Sequence, residues 1–264
     1  MPLDCRTLEL PPFEILKRLP AFAIVAGVAA SILSAPTRVL AAEIVDVAIV
    51  LAADVSRSVD EDEFTLQREG YARAFTNPQV LQAIQAGPNR GIAVTFVEWS
   101  GANDQKVVAD WTIVRDGESG AVFSSMILAP PRSFAGLTSI SAAVDFSMKL
   151  FADGRFQATR RVIDVSGDGT SNSGRPIIQA RDEAIVQGVT INGLTILNLH
   201  PNPGFIAHTQ PPGGLPNYYR ENVIGGAMSF LVEIEDFKSF GEAIVSKLVG
   251  EIARQDAAKG LAAR

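Results

Sequence analysis

Cysteine is nearly absent from this chain of 264 residues, which has only Cys5, and histidine is scarce at two. A single thiol cannot close a disulfide within the chain or build a thiolate zinc site. His200 and His208 stand in one proline-rich stretch with no third ligand spaced with them, so they read as solvated loop residues. Positive charge is also short: 23 Lys and Arg against 29 Asp and Glu give a formal net charge of −6 and a pI near 5.0. Non-specific nucleic-acid binding needs a positive field, and this chain does not have one. Arg160–Arg161 is an isolated basic pair that reads as the flank of a strand. The apolar stretch Leu19–Leu33 falls short of the roughly 20 residues that span a membrane. There is no Gly-x-Ser-x-Gly elbow and no phosphate-cradling Gly-x-x-x-x-Gly-Lys, which removes the commonest hydrolase and nucleotide-binding signatures.

What is present is apolar mass. At 47% hydrophobic and 20% charged residues, the chain can bury a sizeable core and is not compositionally disordered. Lys17–Arg18, the apolar stretch after them and the small-residue pattern Val39–Leu40–Ala41–Ala42 describe a cleaved signal peptide over residues 1–42. The expected product is a periplasmic or secreted protein with no stable membrane span after cleavage. Its domain would cover 43–254, and the Ala-rich 255–264 would be a C-terminal tail. Cys5 precedes the apolar stretch and would leave with the leader, so it is not placed for lipidation at the cleavage point.

Apolar runs and helical periodicities alternate through the domain. Ile44–Ala53 reads as a buried strand, Val59–Ala86 as helix broken at Asn77–Pro78, and Gly91–Ser100 and Lys106–Val114 as strands. Glu118–Leu128 and Ile140–Phe151 follow as helices, the second capped by Thr138 or Ser139. Then come a strand at Thr159–Ser166, a helix at Pro176–Gln187 and a strand at Gly188–Leu199. His200–Asn222 reads as an irregular excursion, before a strand at Ala227–Ile234 and a closing helix at Phe237–Ala253. This order predicts an α/β fold: a doubly wound, mostly parallel central sheet with helices on both faces.

Three polar loops leave or flank these strands. Asp54-x-Ser56-x-Ser58 ends the first strand, Gly136–Leu137–Thr138 precedes the Ile140 helix, and Gly167–Asp168–Gly169 ends the Thr159 strand. Ligands of open α/β sheets bind where loops leave the carboxyl ends of strands, so the three are expected to meet. Two carboxylates and three hydroxyls form a hard, all-oxygen donor set of the kind that holds Mg²⁺, Mn²⁺ or Ca²⁺. Each element also has a plainer reading, as a helix cap at Asp54 or Thr138 and as an ordinary turn at Asp168.

In this order and context the five residues resemble the metal-ion-dependent adhesion site of the von Willebrand factor type A (VWA) domain. Within that fold the chain is similar to a bacterial family of exported VWA-like proteins of unassigned function. The resemblance implies that Asp54, Ser56, Ser58, Thr138 and Asp168 hold a divalent cation, Mg²⁺ first, with Mn²⁺ or Ca²⁺ as alternatives. It further implies a binding module, not an enzyme, in which the ion engages the Asp or Glu carboxylate of a protein partner. A periplasmic metal-assisted hydrolase or phosphatase is the competing reading. Ser56 stands against it, because such a phosphatase would carry a second carboxylate there. A metal-independent structural component of an envelope assembly is the third. Gly167 departs from the many relatives that carry Thr before the second Asp. Asp164 interrupts an apolar strand and must be paired, either beneath the site or structurally. Glu98 reads as a solvated strand-end charge or a base for metal-bound water, and Tyr218, Tyr219 and Arg220 as loop packing or a partner surface.

Overall fold

The computed structural model describes residues 42–152, 154–197 and 211–253. β1 (Glu43–Asp54) is buried over ten of its 12 residues, because it lies in the middle of the sheet and its Val, Ile, Leu and Ala side chains cover both faces. It is followed by α1 (Glu61–Ala74), α2 (Pro78–Ala86), β2 (Ile92–Trp99), β3 (Gln105–Val114), α3 (Gly117–Leu128), α4 (Ile140–Leu150) and β4 (Phe156–Gly167). α5 (Ile177–Val186), β5 (Val189–Ile196), α6 (Leu215–Tyr218), β6 (Leu231–Ile234) and α7 (Phe240–Ala253) follow among the described residues. The sheet order is β3-β2-β1-β4-β5-β6, parallel throughout except for the β2–β3 hairpin. This is the expected mostly parallel α/β fold.

Two cores flank the sheet. Val47, Ile49 and Leu51 of β1 pack on Tyr71, Phe75, Phe123, Phe240, Ile244 and Leu248. On the other face Ala52, Ile163 and Val165 meet Ile140, Val144, Ala180 and Tyr219. The helix starts follow local chemistry. Asp60 and Glu63 form a capping box on α1, Asp116 and Ser119 form one on α3, and Asn77 caps α2 with Pro78 at its first turn. Ser139 caps α4, its hydroxyl accepting from Ala142 N at 3.4 Å.

Four expectations need correction. The last strand is Leu231–Ile234, because positive φ at Gly226 (91°) and Met228 (58°) breaks the run that starts at Ala227. The described part of the excursion is helical: α6 continues into a π-turn over Tyr219–Val223, while His200 and His208 lie outside the described residues. Arg160–Arg161 sits inside β4 instead of flanking it, and Arg160 donates to the Glu251 carbonyl. Glu98 is fully buried, not solvated. Arg68 bonds its Oε1 through Nε at 2.8 Å and Nη2 at 2.5 Å.

Asp164 resolves as a structural group. Lys247 of α7 reaches it, Lys247 Nζ also contacts Glu251 Oε1 at 2.6 Å, and Asn192 Nδ2 donates to that same oxygen at 2.8 Å. All three charged side chains are buried. Burial, then the neighbouring Glu251 charge, pushes the Asp164 carboxyl up to about 7 against the opposing pull of Lys247. Burial depresses Lys247, but the two carboxylates outweigh it and hold the ammonium above its usual range.

Removing the ammonium leaves two buried carboxylates facing each other, so Lys247→Met should destabilise the protein by about 3–5 kcal/mol in urea unfolding. Asp164 binds its proton more tightly folded than unfolded. Its contribution to stability is therefore full below the ordinary value of 3.8 and is lost as pH rises through about 7. Urea midpoints should fall from pH 5 to pH 8, and fall less in Asp164→Asn.

Candidate metal centre

β1 and β4 are parallel neighbours with Ala53 opposite Ser166, so Asp54 and Asp168 leave the same edge of the sheet side by side. Backbone hydrogen bonds tie the Asp54 loop and the third loop to each other and to the end of β2. Arg57 N donates to Gly136 O at 3.0 Å, Ser139 N to Ser100 O at 2.8 Å, and Val55 N to Trp99 O at 2.9 Å. Asn172 N and Ser173 N donate to Thr138 O at 2.9 and 3.1 Å, while Thr138 N returns a bond to Asn172 Oδ1 at 2.9 Å. Ser171 Oγ accepts from Ile140 N at 3.0 Å.

The side chains follow. Ser56 N donates to Asp54 Oδ1 at 2.7 Å, the Ser56 and Ser58 hydroxyls are 3.1 Å apart, and Ser58 Oγ donates to Asp168 Oδ1 at 2.8 Å. Four of the five residues expected from the sequence thus form one hydrogen-bonded chain, while the Thr138 backbone is tied to Asn172 and Ser173 of the Asp168 loop and not to any of the four. The plainer readings of Asp54 and Thr138 as helix caps do not hold, since Asp60 caps α1 and Ser139 caps α4.

Asp54 and Asp168 are both fully buried, Ser56 and Thr138 nearly so. The Asp54 Oδ2 atom has no hydrogen-bond partner. Burial first, then the charge of Asp168, pushes the Asp54 carboxyl up to about 8, although Ser56 and the Arg132 charge oppose the shift. A buried, underused carboxylate oxygen among hydroxyls and a second carboxylate is a donor set that fits a hard divalent cation. Among the described residues no group of three or more His, Cys, Asp or Glu is placed to hold a metal ion, so any ion here depends on hydroxyls for much of its ligation.

Arg132 is the residue the sequence reading missed. Its Nη2 donates to the carbonyls of Val55 at 2.9 Å, Ser56 at 2.9 Å and Val59 at 2.8 Å, and Nη1 pairs with Glu61 at 3.0 Å. One guanidinium therefore sets the path of the Asp54 loop. Glu98 supports it at one remove, because its Oε2 accepts from Ser133 N at 2.9 Å and holds the segment that carries Arg132. No local spacing announces this role; Arg132 lies more than seventy residues from the carbonyls it binds. Tyr218 stands at the rim, its hydroxyl accepting from Ser171 N at 3.3 Å, whereas Arg220 turns to Glu233. Asp164 and Glu98 do not enter the constellation.

Solved structures share this fold. Proximal thread matrix protein 1 of the mussel byssus aligns with a TM-score of 0.54 and 14% identity over 79% of this chain and 47% of its own. A second structure of that protein, described as having a zinc-occupied MIDAS motif, aligns at 0.51 and 14% over 80% and 46%. A von Willebrand factor type A protein from Catenulispora acidiphila aligns at 0.53 and 15% over 79% and 42%. The chain thus spans less than half the length of each, and the likeness establishes a VWA fold. No match was found among curated proteins. The profile of the family described as protein of unknown function (DUF1194) matches residues 44–256, a span that takes in every element from β1 to α7, and the chain belongs to that family.

Proposed function

We propose that this protein is an exported binding module in which Asp54, Ser56, Ser58, Thr138 and Asp168 hold a divalent cation, Mg²⁺ first and Mn²⁺ or Ca²⁺ otherwise. The observation that carries the reading is the fully buried Asp54 carboxylate, whose Oδ2 has no hydrogen-bond partner and which faces Asp168. When bound, the cation supplies a positive charge for both carboxylates and an exchangeable coordination position for an Asp or Glu carboxylate of a protein partner. The zinc-occupied MIDAS of the byssus protein, on the same fold, supports cation binding here.

This chain's own groups do the rest. Ser56 N and Ser58 Oγ each orient one carboxylate oxygen, and Arg132 fixes the loop from behind while its charge opposes the rise in the Asp54 pKa. The reading is of recognition and not catalysis, because Ser56 takes the place where a phosphatase of this kind would carry its second acid. Export rests on the leader at residues 1–42; among the described residues no helix is long and apolar enough to cross a membrane.

Calorimetric titration of the purified protein with Mg²⁺, Mn²⁺ and Ca²⁺ should show one site, abolished in Asp54→Ala. Absence of binding by all three ions, or unchanged binding in the variant, overturns the reading. Pull-down from envelope extracts should capture a partner that EDTA releases, and a partner indifferent to chelator would favour a metal-independent structural role. Arg132→Lys cannot bridge three carbonyls from a single ammonium at these positions, so cation affinity should fall by about tenfold. The same titration measures it.

A further inference from the structure

Tyr219 carries another buried polar atom without a partner at this edge of the sheet, where Trp99 Nε1 is a further one. Its ring is core, packed on Gly193 and fully buried among the residues under α4 and α5. Phenylalanine would pack that core equally well, so the ring does not explain the hydroxyl. That hydroxyl is buried and has no hydrogen-bond partner. Its place is specific. A Cβ built on Gly167 would lie 2.6 Å from the Tyr219 hydroxyl and 3.1 Å from Asp54 Oδ2. Gly167 is therefore small because two oxygens converge on the space beside it, one from Asp54 at the end of β1 and one from the turn that follows α6. The backbone device that delivers the second is the π-turn beginning at Tyr219, closed by Ile224 N donating to Tyr219 O at 2.9 Å.

Two buried oxygens that approach the same space beside a glycine, neither with a partner, are complementary once Asp54 is ionised: its carboxylate then only accepts, and a phenol donates. We propose that Tyr219 is a positioning residue of the cation site, whose hydroxyl donates to Asp54 or to a water on the cation and so orients the Asp54 carboxylate when the ion is bound. The proposal rests on the cation-binding reading above. Outer hydrogen bonds to ligating carboxylates are a general means of tuning metal affinity.

Tyr219→Phe keeps the ring and removes only the hydroxyl. Without cation, the variant should melt at the wild-type temperature or higher, because it loses a polar group that has no partner. With Mg²⁺, calorimetry should show affinity about tenfold weaker than wild type, and a smaller cation-induced rise in melting temperature. The tyrosine ultraviolet difference spectrum produced by Mg²⁺ should vanish in Tyr219→Phe and persist in Tyr218→Phe. Wild-type Mg²⁺ affinity in Tyr219→Phe, or equal destabilisation with and without cation, would overturn the proposal and leave the cation-binding reading intact. Failure of the wild-type protein to bind Mg²⁺, Mn²⁺ or Ca²⁺ would overturn both.

Discussion

Two buried carboxylates at the ends of adjacent parallel strands are the constraint around which this edge of the molecule is built. Folding brings Asp54 and Asp168 together because β1 and β4 are paired in register, and the apolar residues that drive that pairing lie behind the carboxylates on both faces of the sheet. Burial of like charges is unfavourable unless something of opposite sign is supplied. The surrounding loops are arranged to hold the acids in place against that repulsion. Ser56 N, Ser58 Oγ and the interlaced backbone of the Thr138 and Asp168 loops each remove a degree of freedom from the site.

That rigidity is relayed from further inside. Glu98 is buried with Arg68, and its second oxygen binds Ser133 N; Arg132, beside Ser133, binds three carbonyls of the Asp54 loop. Arg68 additionally donates to the carbonyls of Ile127 and Pro130, so one buried ion pair ties the end of α3 to the site. Breaking a buried pair by deleting one partner typically costs several kcal/mol. A charge that reads as a strand-end acid is thus part of the scaffold on which the loop depends.

The fold was legible in the sequence because strand and helix periods dominate it, and each boundary with a chemical marker was found closely. Asn77–Pro78 separates α1 from α2, and the Ile140 helix begins at its hydroxyl cap. Boundaries set by backbone conformation alone were not. The run from Ala227 looks like a strand, yet positive φ at Gly226 and Met228 delays pairing to Leu231. The five site residues were legible because their spacing is local within each loop and the loops share one edge. Arg132, Glu98 and Tyr219 were not, because each acts on a group distant in sequence, and only the packed fold shows which carbonyl, amide or oxygen it meets. The Gly167 departure, which reads from sequence as a lost hydroxyl, leaves in space the room that the Tyr219 hydroxyl takes up, since a Cβ there would lie 2.6 Å from it.

Asp164 and Asp54 offer a controlled comparison, since both are fully buried carboxylates on neighbouring strands and both are pushed up by burial and by a nearby acid. Asp164 has an answer inside the protein: Lys247 contacts it and Glu251 together, and Asn192 completes the set. Asp54 has no lysine. The cation whose charge reaches it, Arg132, directs its donors to the carbonyls of Val55, Ser56 and Val59 and to Glu61, and its opposing effect is smaller than that of burial or of Asp168. A core that can seat an ammonium between two acids on one side of β4 shows how this fold neutralises a structural charge. Among the described residues no such group is provided for Asp54, at the edge where loops leave the sheet, and this is the physical ground for proposing that a bound cation supplies its counter-charge.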